Sequence, residues 1–172
     1  QDPLIQMMRT SMYLCIDCGK GEYSYSYEWN ENGCVLYYQQ QEFELPIYFD
    51  FEVDNLMLAI TALSMFIPKK EIYQYLDLYR PLSGRGEIIY NKEYTIIVDY
   101  AHTLEAYEAL GRNVERLGRE SWIVFGLGGE RDISKRAMIG RSVSEYFDHI
   151  VLTSDNPRGE DPYRICQMIA SG

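Results

Sequence analysis

Trp122-Ile123-Val124-Phe125-Gly126-Leu127-Gly128-Gly129-Glu130-Arg131-Asp132 is the stretch on which the fold turns. Four strand-forming apolar residues run straight into a glycine-rich turn. Ser134 to Phe147 then has helical spacing, and His149 to Thr153 is a second short apolar run. Strand, turn, helix and strand in that order make the repeating unit of an α/β fold with a parallel, doubly wound sheet. Ligands of such sheets sit beyond the carboxyl ends of the strands. The polar residues that follow each strand are therefore the ones to inspect.

Outward from this core the pattern continues. Pro162 to Ile169 starts another helix downstream. Upstream, His102 to Leu117 is amphipathic, with Leu104, Tyr107, Ala109, Leu110 and Val114 as apolar positions. Glu87 to Tyr90 and Tyr94 to Asp99 predict a hairpin around Asn91-Lys92. Tyr79-Arg80-Pro81-Leu82-Ser83-Gly84 reads as a linker, so a domain boundary is expected between residues 79 and 80. Before it, Val53, Leu56, Met57, Ile60, Leu63 and Phe66 recur at helical spacing. Pro68 stops that helix, and Glu71 to Leu78 predicts a short second one. The first fifty residues are β-like, with strands expected at Met12 to Asp17, Glu22 to Trp29 and Cys34 to Tyr38. Tyr23, Tyr25 and Tyr27 alternate with Ser24 and Ser26. Such a stripe suits either a stacking platform or, the more ordinary reading, one packed face of an antiparallel sheet.

With 172 residues, 47% of them hydrophobic and 24% charged, the chain is expected to fold into globular units. Its apolar stretches, such as Leu56 to Ile67, are interrupted by Thr61 and Ser64 and fall well short of the roughly 20 residues a bilayer requires. No basic segment followed by an apolar one opens the chain, so neither signal peptide nor membrane insertion is expected. The net charge of -10 argues against nucleic acid as a partner. That charge is uneven. Residues 1–79 carry 12 acidic against 4 basic side chains, and residues 80–172 carry 14 against 12. An anionic ligand belongs in the second region, where Arg131, Lys135, Arg136 and Arg141 cluster. Cys15 and Cys18 form a C-x-x-C with only Cys34 nearby, and Cys166 stands apart. Reduced thiols of a cytoplasmic protein are the favoured reading over a zinc site or a redox pair, and no metal ligands are assigned.

Three polar clusters follow predicted strands: Asp99 to Thr103, Gly128 to Asp132, and Ser154 to Arg158. Asp99 suits a ribose ligand or the cap of the next helix. His102 and His149 read as structural residues when taken alone. Gly126-x-Gly128-Gly129 permits close approach of an anion to backbone, but Arg131 occupies the third glycine position of the dinucleotide fingerprint. No G-x-x-x-x-G-K-[ST] loop occurs in the chain. In Asp155-Asn156-Pro157-Arg158 a stiff turn presents a carboxylate, an amide and a guanidinium together. That set suits an amino acid, with Asp155 for its ammonium and Arg158 clamping a carboxylate. A capped turn with an exposed arginine is the structural alternative.

Val98-Asp99-Tyr100-Ala101-His102-Thr103, Phe125 to Asp132, Lys135-Arg136, and Thr153 to Pro162 follow one another at a spacing that resembles the Mur ligase family, in its MurE branch. Gly84-Arg85-Gly86-Glu87 is similar to the G-R-x-E that opens the family's C-terminal domain. Phe51 to Asn55 followed by Leu58-Ala59 resembles a segment late in its central domain. The resemblance implies that residues 1–79 are the C-terminal part of the central ATPase domain. It likewise implies that residues 80–172 are the first part of the Rossmann-like, amino-acid-binding C-terminal domain.

The activity it implies is ATP- and Mg²⁺-dependent amide ligation in peptidoglycan precursor synthesis. The third amino acid is added to UDP-MurNAc-L-Ala-D-Glu through an acyl phosphate. By the same resemblance Asn55 reaches the adenine, Asp99 binds the ribose, and His102 touches the nucleotide. Arg85 is the catalytic arginine offered to the phosphates. Arg131, Asp155, Asn156 and Arg158 form the amino-acid pocket, in the form associated with meso-diaminopimelate rather than lysine. Leu104 and Ala137 stand where the family usually has proline, and Leu127 where it commonly has cysteine. Glu52 replaces an asparagine beside the nucleotide segment, where it is expected to weaken ATP binding.

The family's UDP-binding domain, phosphate loop and metal ligands lie upstream of such a segment, and a G-K-G-H-E region lies downstream. The chain is thus expected to be a fragment, inactive alone, of a cytoplasmic and monomeric enzyme. The alternatives are a non-catalytic nucleotide- or amino-acid-binding module, or another ligase on this scaffold such as a folylpolyglutamate or cyanophycin synthetase.

Overall fold

Alternation along Tyr25–Asn30 (β1) sets the first layer, with Tyr25, Tyr27 and Trp29 turned inward and Ser26 and Glu28 outward. This computed structural model describes residues 24–30 and 32–172. The strand expected at Met12 to Asp17 and the Cys15/Cys18 pair lie outside the described residues. The chain divides into two units, residues 1–82 and 83–172.

In the first unit, β1 pairs antiparallel with Gly33–Tyr38 (β2), which pairs with Gln41–Leu45 (β3). The described part of the tyrosine stripe, Tyr25 and Tyr27, is a packed face. Tyr25 Oη donates to Asp54 Oδ1 at 2.6 Å, Tyr27 Oη donates to Asp50 Oδ1 at 3.1 Å, and Trp29 meets Tyr27 edge-on. Strand β3 was not foreseen, because Gln39-Gln40 carries none of the usual turn residues. Both glutamines are left-handed, at φ +50° and +63°, as the tight turn into an antiparallel strand demands.

The helix Asp50–Leu63 (α1) lays Val53, Met57 and Ile60 on the sheet, where Leu36, Cys34 and Leu45 meet them. Each fully buried side chain of this kind contributes about 2 kcal/mol. Glu52 is buried as well. The Tyr48 backbone N–H donates to its Oε2 at 3.3 Å, so the acid reaches back to the chain entering the helix. Lys69–Tyr73 (α2) and a 3₁₀ turn at Leu76–Leu78 complete the described part of the unit.

In the second unit, Glu87–Asn91 (β4) and Thr95–Val98 (β5) form an antiparallel hairpin with a bulge between Ile88 and Tyr90. Leu104–Arg116 (α3) follows, capped by Thr103, whose Oγ1 accepts from the Ala106 N–H at 3.3 Å. Leu104 is thus the first helical residue, where a proline would also fit. Trp122–Phe125 (β6) and His149–Leu152 (β7) pair in parallel, joined across the helix Ser134–Tyr146 (α4). Pro162–Ala170 (α5) closes the described chain, with Asp161 as its cap. Ile123 and Phe125 of β6 pack on Ile139 and Val143 of α4 and on Ile165 and Ile169 of α5. The architecture is mixed α/β, with antiparallel strands beside a parallel pair. Among the described residues no helix is long and apolar enough to cross a membrane.

Candidate functional site

In the second unit the polar residues that follow the strands gather into two clusters. The first is built on Gly84-Arg85-Gly86-Glu87. Gly84 and Gly86 are left-handed, at φ +70° and +65°, a conformation that side chains resist. The Glu87 carboxylate accepts from the Gly84 N–H and the Ser83 hydroxyl, both at 2.8 Å, which closes the turn and holds its carboxyl below the usual range. The turn presents Arg85 outward.

Its guanidinium lies over the Tyr100 ring, 4.8 Å from the centroid. Asp99 is no helix cap, since Thr103 fills that role; its Oδ2 instead accepts the Gly86 N–H at 2.8 Å. Exposed His102 also packs against Tyr100, with ring centroids 5.1 Å apart. Its Nδ1 lies 3.0 Å from the Tyr100 carbonyl. A carbonyl only accepts, so Nδ1 is the donor in this contact.

The second cluster is the loop Gly128–Arg131, after β6, laid against the turn Asp155–Arg158, after β7. The Gly129 N–H donates to the Asn156 carbonyl at 2.9 Å. A side chain at Gly129 would place its Cβ 1.9 Å from the Pro157 carbonyl oxygen, so this contact requires glycine. Arg158 takes the left-handed conformation, φ +50°, and its Nη1 donates to the Gly129 carbonyl. Strain of this sort is retained where a side chain must point one way. Arg131, Asp155, Asn156 and Arg158 are all exposed around this junction.

Beneath it, Arg136 of α4 is buried and donates to both oxygens of Glu160, at 2.8 and 2.9 Å. That guanidinium, together with the Glu130 N–H, holds the Glu160 carboxyl down to about 2.

The two clusters share a neighbour. Tyr107, buried on α3, has its phenol pushed up by burial, and the Asp155 and Asp99 carboxylates add to the shift. Asp99, which follows β5, and Asp155, which follows β7, thus both act on Tyr107. Sequence reasoning placed Tyr107 only among apolar positions and left Glu160 without a role. Asn55 is exposed on α1 of the first unit. Glu52, expected beside the nucleotide segment, is turned into its own core. There burial raises the Cys34 thiol and the Tyr79 phenol, and the Glu52 charge adds to both.

Loops at strand ends, an arginine on a glycine turn and a carboxylate–amide–guanidinium turn mark an α/β domain with charged groups gathered where its strands end. Residues 84–172 match the family model described as Mur ligase, glutamate ligase domain, and the chain belongs to the Mur ligase family. It is 39% identical over 136 residues to the UDP-N-acetylmuramoyl-L-alanyl-D-glutamate–2,6-diaminopimelate ligase of Aquifex aeolicus (strain VF5), covering 78% of this chain and 28% of that protein. The ligase of the same name from Vibrio vulnificus (strain YJ016) is 37% identical over 144 residues, with 82% and 29% covered.

Among solved structures, a ligase of that name superposes with a TM-score of 0.54 at 30% identity, covering 86% of this chain and 31% of that one. The folylpolyglutamate synthase of Thermotoga maritima gives 0.57 at 25% identity, with 84% and 35% covered. The chain thus spans under a third of the length of the curated ligases it matches.

Proposed function

We propose that the protein is an ATP-dependent amide ligase that adds meso-diaminopimelate to UDP-MurNAc-L-Ala-D-Glu. It works as a monomer in the cytoplasm, where ATP is available. The observation that carries this reading is the junction of the Gly128–Arg131 loop with the Asp155–Arg158 turn. It supplies two exposed guanidinia, a carboxylate and an amide beyond the ends of the paired strands β6 and β7. The names of the two relatives point the same way.

In this reading ATP converts the substrate carboxylate to an acyl phosphate, the incoming amine attacks that carbonyl, and phosphate leaves. Asp155 holds the ammonium end of the amino acid, while Arg158, Asn156 and Arg131 bind its carboxylates. A second carboxylate, which lysine lacks, gives Arg158 its fork partner. Asp99 takes the ribose, Asn55 the adenine, and Arg85 and His102 the phosphate side. Arg85 stabilises charge that builds during transfer; its guanidinium rests on an aromatic ring, which leaves its donors available. Residues 1–79 are read as the end of the ATPase domain and residues 80–172 as the start of the amino-acid-binding domain. Among the described residues no three His, Cys, Asp or Glu side chains come together as a ligand set. No step is assigned to the metal.

The test is ligation by the protein from its complete reading frame, with ATP, Mg²⁺ and either diaminopimelate or lysine. Turnover with diaminopimelate alone is expected, and Arg158→Ala is expected to raise its KM about a hundredfold. Equal turnover with lysine would overturn the specificity, and no turnover with either would overturn the ligase reading.

A further inference from the structure

We infer that Arg136 and Glu160 are positioning residues of the amino-acid pocket, which set its selectivity by locking the Gly128–Arg131 loop onto the Asn156–Arg158 turn. The inference rests on the proposed ligase reading and deepens it.

Arg136 is the third residue of α4 and the largest fully buried side chain of the described chain, at 1% exposure. Its fork grips Glu160, its Nη2 lies 3.4 Å from the Gly128 carbonyl, and its Nη1 lies 3.2 Å from Met168 Sδ. Its Nε is buried without a partner. Burying a guanidinium is costly, and an apolar side chain would fill the same volume at lower cost. What the charge adds is reach into two loops at once.

Glu160 completes the lock. It belongs to the stretch that continues from Arg158, and its Oε1 accepts the Glu130 N–H at 2.5 Å. Glu130 returns the contact, its Oε1 accepting the Gly159 N–H at 3.2 Å. One ion pair therefore ties helix α4, the loop after β6 and the turn after β7. Arg131 and Arg158 hang from the two segments so joined. A substrate with charges at both ends is read by groups at a fixed separation, and a shift of about 1 Å costs on the order of a hundredfold in rate. The acid stays ionised through the neutral range, so the lock does not open there.

The experiment uses the protein from its complete reading frame and compares kcat/KM for diaminopimelate with that for lysine. In Glu160→Gln the KM for diaminopimelate is expected to rise about tenfold or more, and the preference over lysine to fall by a similar factor. The KM for ATP is expected to stay within about twofold. Arg136→Lys keeps the buried charge but loses the fork, and gives the same readout where Glu160→Gln does not fold. The double variant Arg136→Met/Glu160→Gln removes both charges and is expected to recover melting temperature but not selectivity. A folded variant with unchanged preference, or a double variant whose preference returns with its stability, would overturn the inference. A wild-type protein that ligates neither amino acid would overturn the ligase reading itself, and this inference with it.

Discussion

Glu52 of the first unit is buried and Glu160 of the second is half-buried, and the surroundings put the two to opposite uses. Glu52 sits at 5% exposure on α1, among the strands of the first unit. Burial pushes the Cys34 thiol up to about 11 and the Tyr79 phenol to about 12, and the Glu52 charge adds to both shifts. Glu160 lies against the Arg136 guanidinium and is pushed down to about 2. One acid adds its charge to the burial that keeps its neighbours protonated; the other takes part in an ion pair that organises polar loops. The lesson is that the first unit is held by buried area, and the rim of the second by charge. Area tolerates a change of pH, whereas an ion pair does not.

The contrast can be tested with the two tryptophans, Trp29 in the first unit and Trp122 in the second. Leu36 is fully buried in β2, so Leu36→Ala is expected to cost the first unit about 2–5 kcal/mol. Urea unfolding followed by Trp29, in a Trp122→Phe background, reads this directly. A loss under about 1 kcal/mol would break the claim that area holds that unit.

Arg136→Ala strands Glu160 and is expected to lower the transition followed by Trp122, in a Trp29→Phe background, by roughly 10 °C at pH 7. The pH dependence sharpens the point. The folded-state value of Glu160 lies below its ordinary 4.5, so its stabilisation is complete above 4.5 and is lost as pH falls towards 2. Thermal melts of wild type and Glu160→Gln should therefore differ most above pH 4.5 and converge near pH 2. Parallel curves would place the lock elsewhere.

Cys34 offers a smaller effect. With its thiol near 11, only about a thousandth is thiolate at pH 8. Alkylation at the Cys34 peptide, followed by mass spectrometry, is expected to be at least about a hundredfold slower in native protein than in urea. Removing the Glu52 charge in Glu52→Gln should speed it only a few-fold, since burial is the larger cause.

Much of the second unit could be read in advance because its signals are local. Trp122 to Phe125 is four strand formers ended by glycine, and Ser134 onward has helical spacing. What escaped depends on distance or on context. Strand β3 begins after Gln39-Gln40, a turn made by residues that seldom accept positive φ. Asp99 taken alone read as a helix cap as readily as a ligand; the cap is Thr103, four residues on. Arg136 and Glu160 are 24 positions apart, and Arg136 read as one of a cluster of cations suited to an anionic ligand, whereas it is buried in an ion pair. Glu52 sits in a segment read as a nucleotide contact, yet helix α1 turns that position inward while leaving Asn55 exposed three residues later. The residues of the candidate pocket were visible as motifs. The support beneath them was not, since a motif records what points out and says little of what lies below.

The left-handed backbone of Arg158 carries an evolutionary consequence. Glycine accepts that conformation without strain, so selection for heat resistance alone would favour Arg158→Gly. The same exchange would delete the guanidinium from the rim. A library screened first for robustness and then for turnover should enrich glycine at this position in the first round and purge it in the second.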